Sequence, residues 1–226
     1  MKQQHLAISL KPPTDFASFY PGANRLVINS LKQITPGDFI YLWGASGVGV
    51  SHLLQACCAT AQTIHQRTIY LDLKWQAALG VELLEGLEDY DVIAIDHLEA
   101  VVGISHWEHA IFHLYNRIQA KQHSFIVGAH VAPMALELQL ADLASRLKAM
   151  LVLQLKVLND ADKLFALQQR ATQLGLDLPT DVGQYLLNHA ERDLTHLLSL
   201  LNRLDQASLR AQRKLTIPFV KQILAT

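Results

Sequence analysis

Cysteine occurs only at the neighbouring positions Cys57 and Cys58. Adjacent thiols cannot staple a loop, and no spaced set exists to grip a metal. A disulfide scaffold and a thiolate metal centre are thereby excluded, and buried free thiols are expected instead. An excess of either charge is also missing: 19 basic and 20 acidic residues leave a formal net charge of −1. So balanced a chain has no general field for a polyanion, so direct DNA binding is not expected. No apolar run is long enough to span a bilayer and no secretory signal opens the chain, so a cytoplasmic setting without a membrane partner is expected. The hydroxyl, imidazole and carboxylate pattern of a nucleophilic hydrolase is absent too.

The 226 residues, half of them hydrophobic, suffice for one α/β domain and a smaller helical one. Residues 1–15 read as a flexible tail, because Pro12 and Pro13 stop regular pairing. Its segment Gln3-Gln4-His5-Leu6-Ala7-Ile8 is either an edge strand or disordered start, or a linear peptide for a partner's groove. An aromatic cluster, Phe16, Phe19 and Tyr20, follows and is expected to pack on the domain. A helix is expected near 24–34.

Beyond it, short apolar runs alternate with helical patterns. Strands are predicted at 39–43, 68–72, 92–96, 125–128 and 151–155. Helices are predicted at 50–63, near 75–87 and at 108–120, with one or two short ones in 136–148. This alternation predicts a five-stranded parallel sheet covered on both faces, in a domain over 16–158. From 159 to 226 the strands stop and a small all-helical domain is expected. Asn159 caps its first helix and Gly175 ends it. Further helices are expected at 181–189 and 194–211, and Thr216 caps the last, with Pro218 in its first turn.

The sharpest motif is Gly44-Ala45-Ser46-Gly47-Val48-Gly49-Val50-Ser51, placed between an apolar strand and a helix. Glycines let successive amides turn inward, and the helix N-terminus adds partial positive charge, which together make a phosphate loop. Gly44, Ser46, Gly47, Val48, Gly49, Val50, Ser51 and His52 are the candidate nucleotide-binding residues. The pattern has one fault: Val50 stands where a lysine would reach the outer phosphates. A charge-assisted hydrogen bond is worth roughly 1.5–3 kcal/mol, about 10- to 150-fold in affinity. ADP is therefore a weakened expectation rather than a strong one.

Ser51 keeps the hydroxyl that would hold Mg²⁺, and Asp96, ending the central strand, would bind that ion or order its water. Asp96 is followed by His97 in place of the usual acidic neighbour, and Glu99 is a weaker candidate for positioning water. Asp72 and Lys74 could form a local ion pair. His106, His109 and His113 share a helical face, but with no acidic or thiolate partner they read as a polar surface rather than a metal site.

Several segments resemble the AAA+ proteins of the bacterial replication-initiator group, and within it the DnaA-related Hda family of regulatory inactivators. They are Phe16-Ala17-Ser18-Phe19-Tyr20-Pro21-Gly22, Tyr41-Leu42-Trp43-Gly44, Phe112-His113-Leu114-Tyr115-Asn116-Arg117-Ile118, Asp142-Leu143-Ala144-Ser145-Arg146-Leu147, and the stretch from Ala211 to Lys221. The resemblance implies an AAA+ core with a helical lid, and partnership with DnaA and the DNA-loaded sliding clamp. It implies that Gln3, Leu6 and Ile8 anchor a clamp-binding peptide, although Gln4 and Ala7 depart from the family's leucine and proline. It implies that Arg146 is an arginine finger acting in trans on ATP held by DnaA, so that initiation is restrained. Two further departures touch the cis site: Ala129 stands where a polar sensor follows the fourth strand, and Leu194 where the lid presents its sensor arginine. A homo-oligomer is compatible with this family. The chain ends directly after the lid, leaving no room for an initiator's helix-turn-helix. Two alternatives stay open: a nucleotide-driven AAA+ ATPase that loads or remodels replication proteins, and a nucleotide-free adaptor.

Overall fold

The computed structural model describes residues 14–76, 79–191 and 193–224. Five parallel strands form one sheet: β1 (Phe39–Trp43), β2 (Thr68–Asp72), β3 (Val92–Asp96), β4 (Ser124–Ala129) and β5 (Leu151–Gln154), in the order β2-β3-β4-β1-β5. β3 and β4 are buried along their whole length, as unbroken apolar strands in the middle of a covered sheet must be. β5 is an edge strand and is mostly exposed.

Helices cover both faces. On one, α1 (Arg25–Lys32) and α2 (Val50–Thr63) bury Ile28, Leu31, Leu53 and Leu54 against Ile40, Leu42, Ala94 and Ile126. On the other, α4 (Ser105–Lys121) sets Trp107, Ile111 and Leu114 against Tyr41, Ile93, Ile95, Phe125 and Val127. Alternate strand residues thus feed opposite cores. Cys57 and Cys58 are buried free thiols on α2; burial pushes the Cys58 thiol up to about 11.

The region expected as one helix near 75–87 differs. It holds a single turn, α3 (Leu73–Gln76), and two short 3₁₀ pieces, Val81–Leu84 and Leu87–Asp89. Gly80 and Gly86 take φ of 89° and 74°, left-handed values that no helix can run through.

After a 3₁₀ turn at Pro133–Ala135, α5 (Ala141–Ala149) leads into β5. Glu108, 1 % exposed, ties α4 to the start of α5, its two oxygens accepting the amides of Gly103 and Leu140 at 2.7 Å each.

The helical domain comprises α6 (Asp160–Gln173), α7 (Thr180–His189), α8 (Leu194–Ala211) and α9 (Ile217–Leu224). Leu167, Leu186, Leu197, Leu201 and Val220 form its separate core. The expected caps are present: Asn159 accepts the amide of Asp162 at 2.8 Å, and Gly175 turns left-handed. No described helix is long and apolar enough to cross a membrane.

Candidate nucleotide site

The glycine-rich loop joins β1 to α2 at the carboxyl end of the sheet. Gly47 (φ 77°) and Gly49 (φ 100°) are both left-handed, which turns the loop back over the start of α2. Neither could carry a side chain here. A Cβ on Gly49 would lie 2.6 Å from the Phe19 ring, and one on Gly47 would strike the carboxylate of Asp193 from the helical domain. Val50 turns inward and is 5 % exposed, packed in the α2 core.

Two cavities meet at this loop, sharing Gly47, Gly49, His52, Thr195 and Leu198. One, of about 120 Å³, is lined by Phe19, Tyr20, Val48, Leu158 and Leu194, and has the apolar character that suits a base. The other, of about 560 Å³, is lined by Ser46, Ser51, Lys74, His97, His130 and Asn202, and suits a phosphate chain. The residues 14–22 strap the loop from outside. His52 Nε2 donates to the Asp15 carbonyl at 2.9 Å, and its ring lies 5.5 Å from that of Phe19. His52, expected at a phosphate or in solvent, is thus held by the strap. Tyr20 reaches the other way, donating to Asp162 of the helical domain at 3.1 Å.

Asp72 and Asp96 are register partners at the ends of β2 and β3, so two carboxylates stand side by side. The next residue, His97, sits in left-handed backbone (φ 54°). Its Nδ1 donates to Asp72 at 2.8 Å and lies 3.6 Å from Asp96. The expected Asp72–Lys74 ion pair is therefore replaced by Asp72–His97; Lys74 uses only its backbone amide on Asp72, at 3.0 Å. Asp96 itself is 1 % exposed. One oxygen accepts the Tyr70 hydroxyl at 2.7 Å, the other the His97 amide at 2.9 Å. Burial, then the bond to Asp96, pushes the Tyr70 phenol up, which keeps it a donor.

The fit to a nucleotide divides in two. Loop and cavities have the shape and backbone for a base and a diphosphate. The metal arm fits less well: Asp96 is sealed from solvent, accepts from two donors and does not line the larger cavity that Ser51 borders. Asp72, Asp96 and His97 do bring three potential ligand atoms within 4.8 Å of one another, but hydrogen bonds among them and to Tyr70 account for the arrangement. The exposed His106, His109 and His113 form no such group.

The two positions that depart from the sensor pattern lie beside polar neighbours. Ala129 ends β4 and is 1 % exposed; the next residue, His130, is the one that borders the phosphate cavity. Its Nδ1 donates to Glu99 at 2.8 Å, so Glu99 is hydrogen-bonded rather than free to position water. Leu194 lines the base cavity, whereas Thr195, one residue on, borders both cavities. His130, Thr195 and Tyr70 carried no motif of their own and escaped notice.

Arg146 lies far along the chain from this site, in the last turn of α5, and is exposed. Its guanidinium carbon stands 5.6 Å from the centre of the Tyr115 ring on α4. Gln3, Leu6 and Ile8 lie outside the described residues.

Comparison with known proteins follows the same division into two domains. Residues 10–154 match the bacterial DnaA ATPase domain family, and residues 160–224 match the Hda lid domain. Domain III of the Thermotoga maritima replication initiation protein DnaA superposes with a TM-score of 0.83 at 19 % identity, covering 96 % of this chain and 97 % of that one. DnaA of Aquifex aeolicus, solved with AMPPCP, gives 0.71 at 22 % identity, over 87 % of this chain and 66 % of that one. A Thermotoga maritima RuvB variant gives 0.64 at 17 % identity, over 93 % and 70 %.

Proposed function

The chain belongs to the bacterial DnaA ATPase domain family and carries an Hda-type lid, and on that premise we propose that it restrains replication initiation by completing the ATP site of DnaA. Arg146 acts as the finger in trans. A guanidinium from one subunit neutralises charge growing on the γ-phosphate bound by its neighbour, and grips its oxygens in a fork. The Gln3, Leu6 and Ile8 segment tethers the protein to the sliding clamp.

One contrast carries the proposal. Arg146, where the resemblance puts the finger, is exposed and lies against an aromatic ring, while Asp96 of the chain's own site is sealed and Val50 offers no charge. When bound, ADP would supply a bridge between strap, loop and lid. Residues Phe19, Tyr20 and Val48 would hold its base, and the amides of Gly47 to Ser51 its phosphates. Mg²⁺ has no step in this scheme.

Arg146→Ala tests the finger. A finger contributes about 10³–10⁵ in rate, so stimulation of hydrolysis of DnaA-bound ATP should vanish while folding and clamp binding persist. Unchanged stimulation rejects the assignment.

One observation favours a second reading, an adaptor without nucleotide: the Asp193 carboxylate packs directly on Gly47, an anion beside an anion site. Calorimetry showing no ADP binding, together with a silent stimulation assay, would support it.

A further inference from the structure

Resting on the reading of the larger cavity as a phosphate site, we infer that Lys74 supplies the cation that the glycine-rich loop lacks. The cavity borders four basic side chains: His52, Lys74, His97 and His130. The three imidazoles are already committed. His52 donates to the Asp15 carbonyl, His97 to Asp72 and His130 to Glu99. Lys74 differs. It is exposed, it makes no ion pair among the described residues, and its Nζ lies 6.0 Å from the centre of the exposed Trp75 ring. The lid contributes only neutral groups to this wall, Thr195, Ser199 and Asn202. Lys163, the one buried lysine of the lid, borders a different, smaller cavity on the far side of the loop, 3.9 Å from Asp160.

Geometry also says which phosphate Lys74 serves. It follows β2, which lies three strands from β1, the strand that feeds the loop. At about 4.8 Å per strand that is roughly 14 Å. A long, flexible lysine acting as a point charge can meet a phosphate chain coming from the loop only at its outer end. The backbone amides keep the inner phosphate. Lys74 is held at its backbone, where its amide donates to Asp72, and its ammonium has an exposed ring rather than a carboxylate beside it.

The test is a calorimetric titration of the full chain, freed of carried-over nucleotide, with ADP and with AMP. Lys74→Met keeps the stem and removes the charge. It should weaken ADP by about tenfold or more, the worth of one charge-assisted hydrogen bond, and leave AMP unchanged. Lys74→Arg should stay near the parent, and the salt dependence of ADP binding should flatten in Lys74→Met alone. A Lys74→Met protein that binds ADP as the parent does, or that loses AMP and ADP equally, overturns the inference while leaving the nucleotide site in place. A parent chain that binds neither overturns both, and points to the adaptor.

Discussion

The loop site and the α5–β5 border treat their functional groups in opposite ways. At the loop, the acidic and imidazole groups beside the strand ends are engaged inside the chain: Asp96 by Tyr70 and a backbone amide, His97 by Asp72, His130 by Glu99. In α5, Arg146 has no anionic partner among the described residues and is exposed, over the Tyr115 ring of α4. Groups satisfied internally hold a shape; a charge left outside waits for a partner. On the proposed function, that difference would separate a site that binds from a residue that acts elsewhere.

Removing the brace behind the border should have the largest effect on stability. Glu108→Ala leaves two backbone donors without their acceptor and should cost about 2–4 kcal/mol. Thermal melts would show it, and because Glu108 anchors the start of α5, stimulation of DnaA should fall while ADP affinity holds. If ADP affinity fell and stimulation held, the two regions would not be separate.

Restoring the loop cation sharpens the contrast from the other side. Val50→Lys should raise ADP affinity about 10- to 150-fold without creating ATP turnover, since Asp96 remains sealed. Appearance of turnover in that variant would show that the cation alone was missing. Tyr70→Phe, which takes one donor from Asp96, should cost about 1–2 kcal/mol of stability and leave Arg146-dependent stimulation untouched.

The smallest effect concerns the strap. Hydrogen bonds from Ser18, side chain first and then backbone, hold the Asp15 carboxyl below its ordinary 3.8. Because the folded value is depressed, the stabilisation is full above 3.8 and is lost as pH falls through the folded value. Hydrogen exchange at the Ser18 amide should therefore quicken, relative to its intrinsic rate, only below that pH. Quickening already near neutrality would contradict a hold through the Asp15 carboxylate.

Much of the scaffold was legible beforehand because its signals are local. The apolar runs 39–43, 68–72 and 92–96 became β1, β2 and β3 without adjustment, and α2 and α8 have the expected ends. The break near 80 escaped because Gly80 and Gly86 act through left-handed backbone that helical periodicity does not reveal. In the site, the loop glycines stood out as a motif. The partners of Asp96 did not: Tyr70 is 26 positions away in sequence, and only the β2–β3 register brings them together. His130 and Thr195 line the larger cavity without any motif to mark them, because a strand or helix end decides which side chain faces it.

The account turns on whose nucleotide is cleaved. DnaA loaded with ATP labelled at the γ-phosphate and freed of excess should be mixed with this chain and with its Arg146→Ala and Asp96→Ala variants, beside the chain given labelled ATP alone. Release of label from DnaA that needs Arg146 but not Asp96, with none from the chain by itself, is the expected result. Release by the chain alone that survives Arg146→Ala and disappears in Asp96→Ala would contradict it.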